Sequence, residues 1–111
     1  MEQKVLKGSL TTIILKLLDD NGRMYGYEMT KAVKEGSNDT IVLTEAALYP
    51  ALHKLVDEGL LTTKSEVVDG RMRKYYSLTK EGKKETKYKV DALKEMMNSL
   101  SLILNPAIKN G

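Results

Sequence analysis

Arg71, Arg73 and Lys74 stand in one short run, directly after Asp69-Gly70 and directly before Tyr75-Tyr76. Guanidinium and ammonium groups interleaved with tyrosines suit anion binding. Phosphate is the best match, because the planar Arg fork meets two of its oxygens at once. In a strand, residues 71, 73 and 75 share one face, while 72, 74, 76 and 78 share the other. Arg71 and Arg73 therefore point together toward a ligand, and Met72, Tyr76 and Leu78 are expected to pack inward. A second polar set is Tyr49, His53 and Lys54, with Thr44, Glu45 and Ala46 a few residues before it. Catalysis has little to work with. There is one histidine and no cysteine, and no nucleophile elbow, P-loop or paired-carboxylate arrangement occurs. His53 has no companion donors for a metal, so neither an enzyme nor a cofactor is expected.

The elements that must position these groups can be read from apolar spacing. Leu48, Ala51, Leu52, Leu55 and Val56 recur at helical intervals and draw one buried stripe over residues 45–58. Thr44 is placed to cap that helix, Glu45 suits its positive end, and Gly59 suits the residue past its end. Pro50 predicts a bend near the start of the helix, since it removes one backbone donor. Tyr49, His53 and Lys54 lie on the face opposite the stripe. Residues 62–68 and 71–78 read as strands, and Asp69-Gly70 between them signals a tight type I′ turn. Upstream, Leu6, Leu10, Ile13, Ile14, Leu17 and Leu18 predict a helix over residues 3–20, closed by Asn21-Gly22. The segment beginning Arg23-Met24-Tyr25 predicts a second helix running to Glu35, with Met29, Ala32 and Val33 buried. Ile41-Val42-Leu43 is short and rich in β-branched residues, and a brief pairing with the hairpin is expected.

Thr79 then caps a helix predicted from Lys80 to Leu104, stopped by Asn105-Pro106. At 1.5 Å per residue it would be roughly 37 Å long, more than a domain of this size needs. Thr86, Val90, Leu93, Met97, Leu100 and Leu104 are separated by 4, 3, 4, 3 and 4 residues. That is an a/d seam, widened by Met96, and it predicts pairing with a second copy of the chain.

The charge balance narrows the partners. The net charge is +3, but residues 1–59 carry 7 Lys and Arg against 9 Asp and Glu. Residues 60–78 carry 4 against 2, and residues 79–111 carry 7 against 4. The positive excess thus lies in the hairpin and the last helix, so attraction to a nucleic-acid backbone would come largely from the hairpin. The first 22 residues carry charges throughout and show no signal-peptide cleavage pattern, and no apolar run is long enough to span a bilayer. A cytoplasmic protein without a membrane partner is expected.

Tyr25-Gly26-Tyr27-Glu28, Leu48-Tyr49-Pro50-Ala51-Leu52, Glu58-Gly59-Leu60, the run from Arg71 to Thr79, and Glu81-Gly82 occur in an order and spacing that resembles the PadR family of bacterial transcriptional regulators. The short C-terminal part resembles the smaller branch of that family. The resemblance implies a winged helix-turn-helix carrying a C-terminal dimerisation helix, usually a repressor, with some members sensing drugs at the dimer interface. The chain departs from the family at Ala46-Ala47, where members usually carry Gly followed by Thr or Ser, which removes one hydroxyl from the start of the helix.

The expected fold is therefore α+β and mainly α: a winged helix-turn-helix with a two-stranded wing and a long C-terminal helix. Residues 1–79 form the DNA-binding domain and residues 80–111 the dimerisation helix and tail. The expected partners are a pseudo-palindromic double-stranded DNA operator, a second copy of the chain and a small-molecule effector. Tyr25, Thr44, Glu45, Ala46, Tyr49, His53, Lys54, Arg71, Arg73 and Lys74 would face DNA. Thr86, Val90, Leu93, Met96, Met97, Leu100 and Leu104 would face the second chain. The rival reading is a winged-helix module for protein–protein interaction, favoured by the acidic balance of residues 1–59.

Overall fold

A computed structural model of the chain describes residues 8–105. Leu6 and Pro106 lie outside the described residues. The elements run α1 (Leu10–Asn21), β1 (Arg23–Tyr25), α2 (Gly26–Gly36), α3 (Glu45–Asp57), β2 (Leu61–Val68), β3 (Arg71–Leu78) and α4 (Lys80–Leu104). The three strands form one antiparallel sheet in the order β1-β3-β2.

One core ties these elements together. Ile14, Leu15 and Leu18 of α1, Met29 of α2, and Leu48, Leu52 and Leu55 of α3 are almost completely buried. They meet Met24, Leu61 and Tyr76 from the inner face of the sheet. Each such side chain contributes about 1.5–3 kcal/mol on burial, so the three-helix-on-sheet body rests on these contacts. Leu15 is fully buried although it lies outside the predicted stripe, because helix and sheet together enclose α1 more widely than one stripe requires.

The α3 helix forms as its sequence dictates. The Thr44 hydroxyl accepts a bond from the Ala47 N–H at 3.3 Å, and Gly59 takes a φ of 77° just past the C-terminus. The helix is continuous through Pro50, which sits near enough to its start that little of the hydrogen-bond ladder is lost. Asp69 and Gly70 have φ values of 51° and 77°, the two left-handed residues that a type I′ turn requires.

Three local expectations are corrected. Residues 23–25 do not begin α2. They form β1, pairing Arg23 with Ser77, Met24 with Tyr76 and Tyr25 with Tyr75. Alternation explains it, since Met24 enters the core while Arg23 and Tyr25 stay outside. The wing hairpin is thus joined by a third strand at its base. Residues 41–43 lie outside the sheet; Leu43 is buried and Val42 exposed, so this segment enters the core through a side chain and not through a ladder. Met72 does not pack inward. It shares a face with Tyr76, but β2 and β3 run past the helices there, and Met72 is 68% exposed.

The start of α4 is stapled to the end of α3. The Thr79 hydroxyl donates to the Gly59 carbonyl at 2.7 Å and accepts from the Gly82 N–H at 3.0 Å, while the Thr79 N–H donates to Leu60 O. From there α4 packs on α1 and then leaves the body, giving the molecule extents of 58 × 30 × 21 Å.

Candidate nucleic-acid interface

The outward side of α3 carries Thr44, Glu45, Ala46, Tyr49, His53 and Lys54, all exposed. Because Leu48, Leu52 and Leu55 fix the opposite side in the core, this polar side must face solvent. Thr44 accepts one bond from its own helix and can still donate its hydroxyl proton to a ligand.

Tyr49 packs α3 against the start of α2. Its phenol lies over Gly26, the first residue of α2. A Cβ at position 26 would stand 2.5 Å from the Tyr49 hydroxyl oxygen and 3.1 Å from Cζ, so glycine is what lets the ring lie there. Gly26→Ala is expected to cost about 1 kcal/mol or less, since a side-chain tip can swing aside. It should nonetheless displace Tyr49, and were that hydroxyl to meet a backbone phosphate, losing the one contact would weaken binding by roughly 3–10-fold. Thermal melting beside a binding titration checks both parts.

The outer face of the sheet continues from that point. Tyr25 stacks on Tyr27 with centroids 6.4 Å apart and meets Tyr75 edge-on at 5.6 Å. The Arg73 guanidinium sits 4.5 Å from the Tyr25 ring centroid, and that of Arg23 sits 4.1 Å from the Tyr75 ring centroid. Cation–π stacking of this kind orients the guanidinium without consuming its N–H edge. The Tyr75 hydroxyl, with the nearby Tyr25, holds Arg73 above its already high ordinary pKa, so its charge is fixed at any working pH. Burial first, and then the Tyr49 phenol, push the Tyr76 hydroxyl up, and this ring stays neutral in the core.

The register brings Arg71 and Arg73 to one face together with Tyr25 and Tyr75. Lys74 is placed differently: it lies on the opposite face, its Nζ 5.8 Å from the Tyr76 ring. The residues brought into one surface are thus Tyr25, Tyr49, Arg73 and the outward residues of α3, with Arg71 farther along the wing. Tyr75, expected on the face of Arg71 and Arg73, joins them, as do Arg23, Tyr27 and Glu66, which the sequence did not single out. Arg23 and Glu66 meet only because β1 and β2 flank β3, a pairing that a three-residue strand is too short to announce.

Along α4, Thr86 is buried within its own chain, its hydroxyl donating to Gly82 O at 2.7 Å. Val90 and Leu93 are half-buried. Met96, Met97, Leu100 and Leu104 are bare, with exposures of 53%, 58%, 48% and 76%. Exposed apolar side chains at this density on one helix mark an interaction surface. Among the described residues no group of three or more His, Cys, Asp or Glu side chains could hold a metal, and no helix is long and apolar enough to cross a membrane.

The chain is similar to known proteins in both sequence and fold. Residues 14–88 match the family described as "Transcriptional regulator PadR-like family". The negative transcriptional regulator PadR of Bacillus subtilis (strain 168) is 31% identical over 83 residues, which cover 74% of this chain and 43% of that protein. A solved transcriptional regulator from Clostridium thermocellum superposes with a TM-score of 0.80 at 30% identity, covering 89% of this chain and 96% of that one. The Bacillus subtilis PadR in complex with operator DNA superposes with a TM-score of 0.63 at 34% identity, covering 70% of this chain and 44% of that one. The matched residues run from α1 through the sheet into the start of α4, and on that footing the chain belongs to the PadR-like family of transcriptional regulators.

Proposed function

We propose that this protein is a homodimeric repressor that binds a pseudo-palindromic operator in duplex DNA. In this reading residues 1–79 are the DNA-binding unit and residues 80–111 the assembly element, in a cytoplasmic protein. The observation that carries it is the free polar side of α3, whose Tyr49 ring lies over Gly26, the residue next in sequence to the Tyr25 that carries Arg73. A helix whose polar side is free, beside planar cations held at fixed positions, is what a major groove and its flanking phosphates require. The operator complex of the Bacillus subtilis relative supports a DNA partner. Thr44, Glu45, Ala46 and His53 are assigned to the groove, and Tyr49, Lys54, Tyr25, Arg71 and Arg73 to the phosphates. Two-fold symmetry would set two α3 helices about one DNA turn, roughly 34 Å, apart. The bare Met96 and Met97 are the place where an apolar effector would act, since thioether side chains adapt to varied shapes.

A salt titration of duplex binding, run beside an Arg71→Ala/Arg73→Ala variant, tests the reading. The wild type should weaken steeply with salt, and the variant should bind all sequences more weakly with a slope flatter by about one unit per lost phosphate contact. Salt-independent binding, or none, would favour the protein-interaction module that the acidic balance of residues 1–59 suggests.

A further inference from the structure

Two arginines on the outer face of the sheet are held alike but occupied differently. Each guanidinium lies on a tyrosine ring, Arg73 on Tyr25 and Arg23 on Tyr75, and the two rings touch edge to face. Among the described residues Arg73 forms no salt bridge. The fork of Arg23 holds the Glu66 carboxylate instead, with Nη1 donating to Oε1 at 2.8 Å and Nη2 to Oε2 at 3.0 Å. Lys64 Nζ stands 3.8 Å from the same carboxylate. Two anionic oxygens set in an Arg fork have the geometry that a phosphate presents. The pair is open to solvent, with side-chain exposures of 50% for Arg23 and 30% for Glu66, so a competing anion can reach it.

We propose that Arg23 is a phosphate-binding residue for duplex DNA and that Glu66 is the anion occupying its fork until a backbone phosphate replaces it. This rests on the reading of the chain as a duplex-DNA binder. Position supports it: Arg23 is two residues before Tyr25, whose successor Gly26 carries the Tyr49 ring of α3, so one strip runs from the outward side of α3 to Arg23. The bond from Arg23 holds the Glu66 carboxyl below its ordinary range, so the occupying group stays charged. Exchanging one two-bond anion for another returns little net attraction. Glu66 therefore lowers affinity for every duplex alike, and a larger share of operator affinity must come from base contacts at α3.

Three variants separate this from a brace that merely ties β1 to β2 across β3. They are Glu66→Gln, Glu66→Asp and the pair Arg23→Ala/Glu66→Gln, each titrated against a duplex of unrelated sequence over a salt series, with thermal melting alongside. Glu66→Gln should bind about 3–10-fold tighter near 0.1 M salt, with a log–log slope steeper by about one to two units, since Arg23 and Lys64 are both released. Adding Arg23→Ala should remove about one unit of that gain, since the released guanidinium is then gone. Glu66→Asp keeps the charge beside both cations and should stay at the wild-type slope. Unchanged or weaker binding by Glu66→Gln, with or without a lower melting temperature, would overturn the exchange and leave a brace. A wild type without salt-dependent duplex binding would overturn the parent reading as well.

Discussion

Met97→Glu with Leu100→Glu is expected to leave a folded monomer that binds its operator about 100-fold or more weakly, because the second half-site loses its high effective concentration. Both positions are bare in the single chain, so a carboxylate there faces water and costs the fold little. In a paired seam each new charge would be buried against its own copy, and unpaired buried carboxylates cost several kcal/mol each. Thr86 is already enclosed by its own chain, so the contacts available to a partner lie on the later turns of α4. Sedimentation gives the assembly state and a DNA titration the affinity. A variant that stays dimeric, or that is monomeric and still binds the full operator tightly, would remove α4 as the assembly element.

Gly82→Ala should damage stability more than any other single methyl addition at a glycine of the chain's described part. A Cβ there would overlap the Leu60 carbonyl oxygen, a backbone atom that cannot swing aside as the Tyr49 tip can at Gly26. The overlap would push α4 off the Thr79 staple that joins it to the end of α3. An overpacking cost of about 2–3 kcal/mol is expected. That corresponds to a fall of roughly 10 °C or more in melting temperature for a domain of this size. Gly36→Ala is the control: a Cβ there meets nothing within 4 Å, and the change should stay within about 0.5 kcal/mol. Equal melting temperatures for the two variants would show that α4 is not clamped at Leu60.

The features legible in the sequence are those set by local rules. The stripe of Leu48, Leu52 and Leu55, the Thr44 and Thr79 caps, Gly59 beyond α3 and the Asp69-Gly70 turn each depend on residues a few places apart. Long-range features were hidden for the same reason. Three residues are too few to show a strand period, and Met24 is buried only because Tyr76, far along the chain, pairs with it. Alternation tells which face Met72 occupies but not that the helices beneath it end before the wing tip. The Arg23–Glu66 fork joins residues 43 positions apart, and its partner choice depends on a sheet register that no local pattern encodes. The close approaches at Gly26 and Gly82 depend on the Tyr49 ring and the Leu60 carbonyl, which come from distant parts of the chain.

Selection of genomic duplex fragments by the purified protein tests the central claim most directly. Enrichment is expected of fragments sharing a pseudo-palindrome whose half-sites are centred about one turn apart, roughly 10 base pairs, with retention lost steeply as salt rises. Recovery of no common sequence above background, at salt low enough to hold nonspecific duplex, would contradict it.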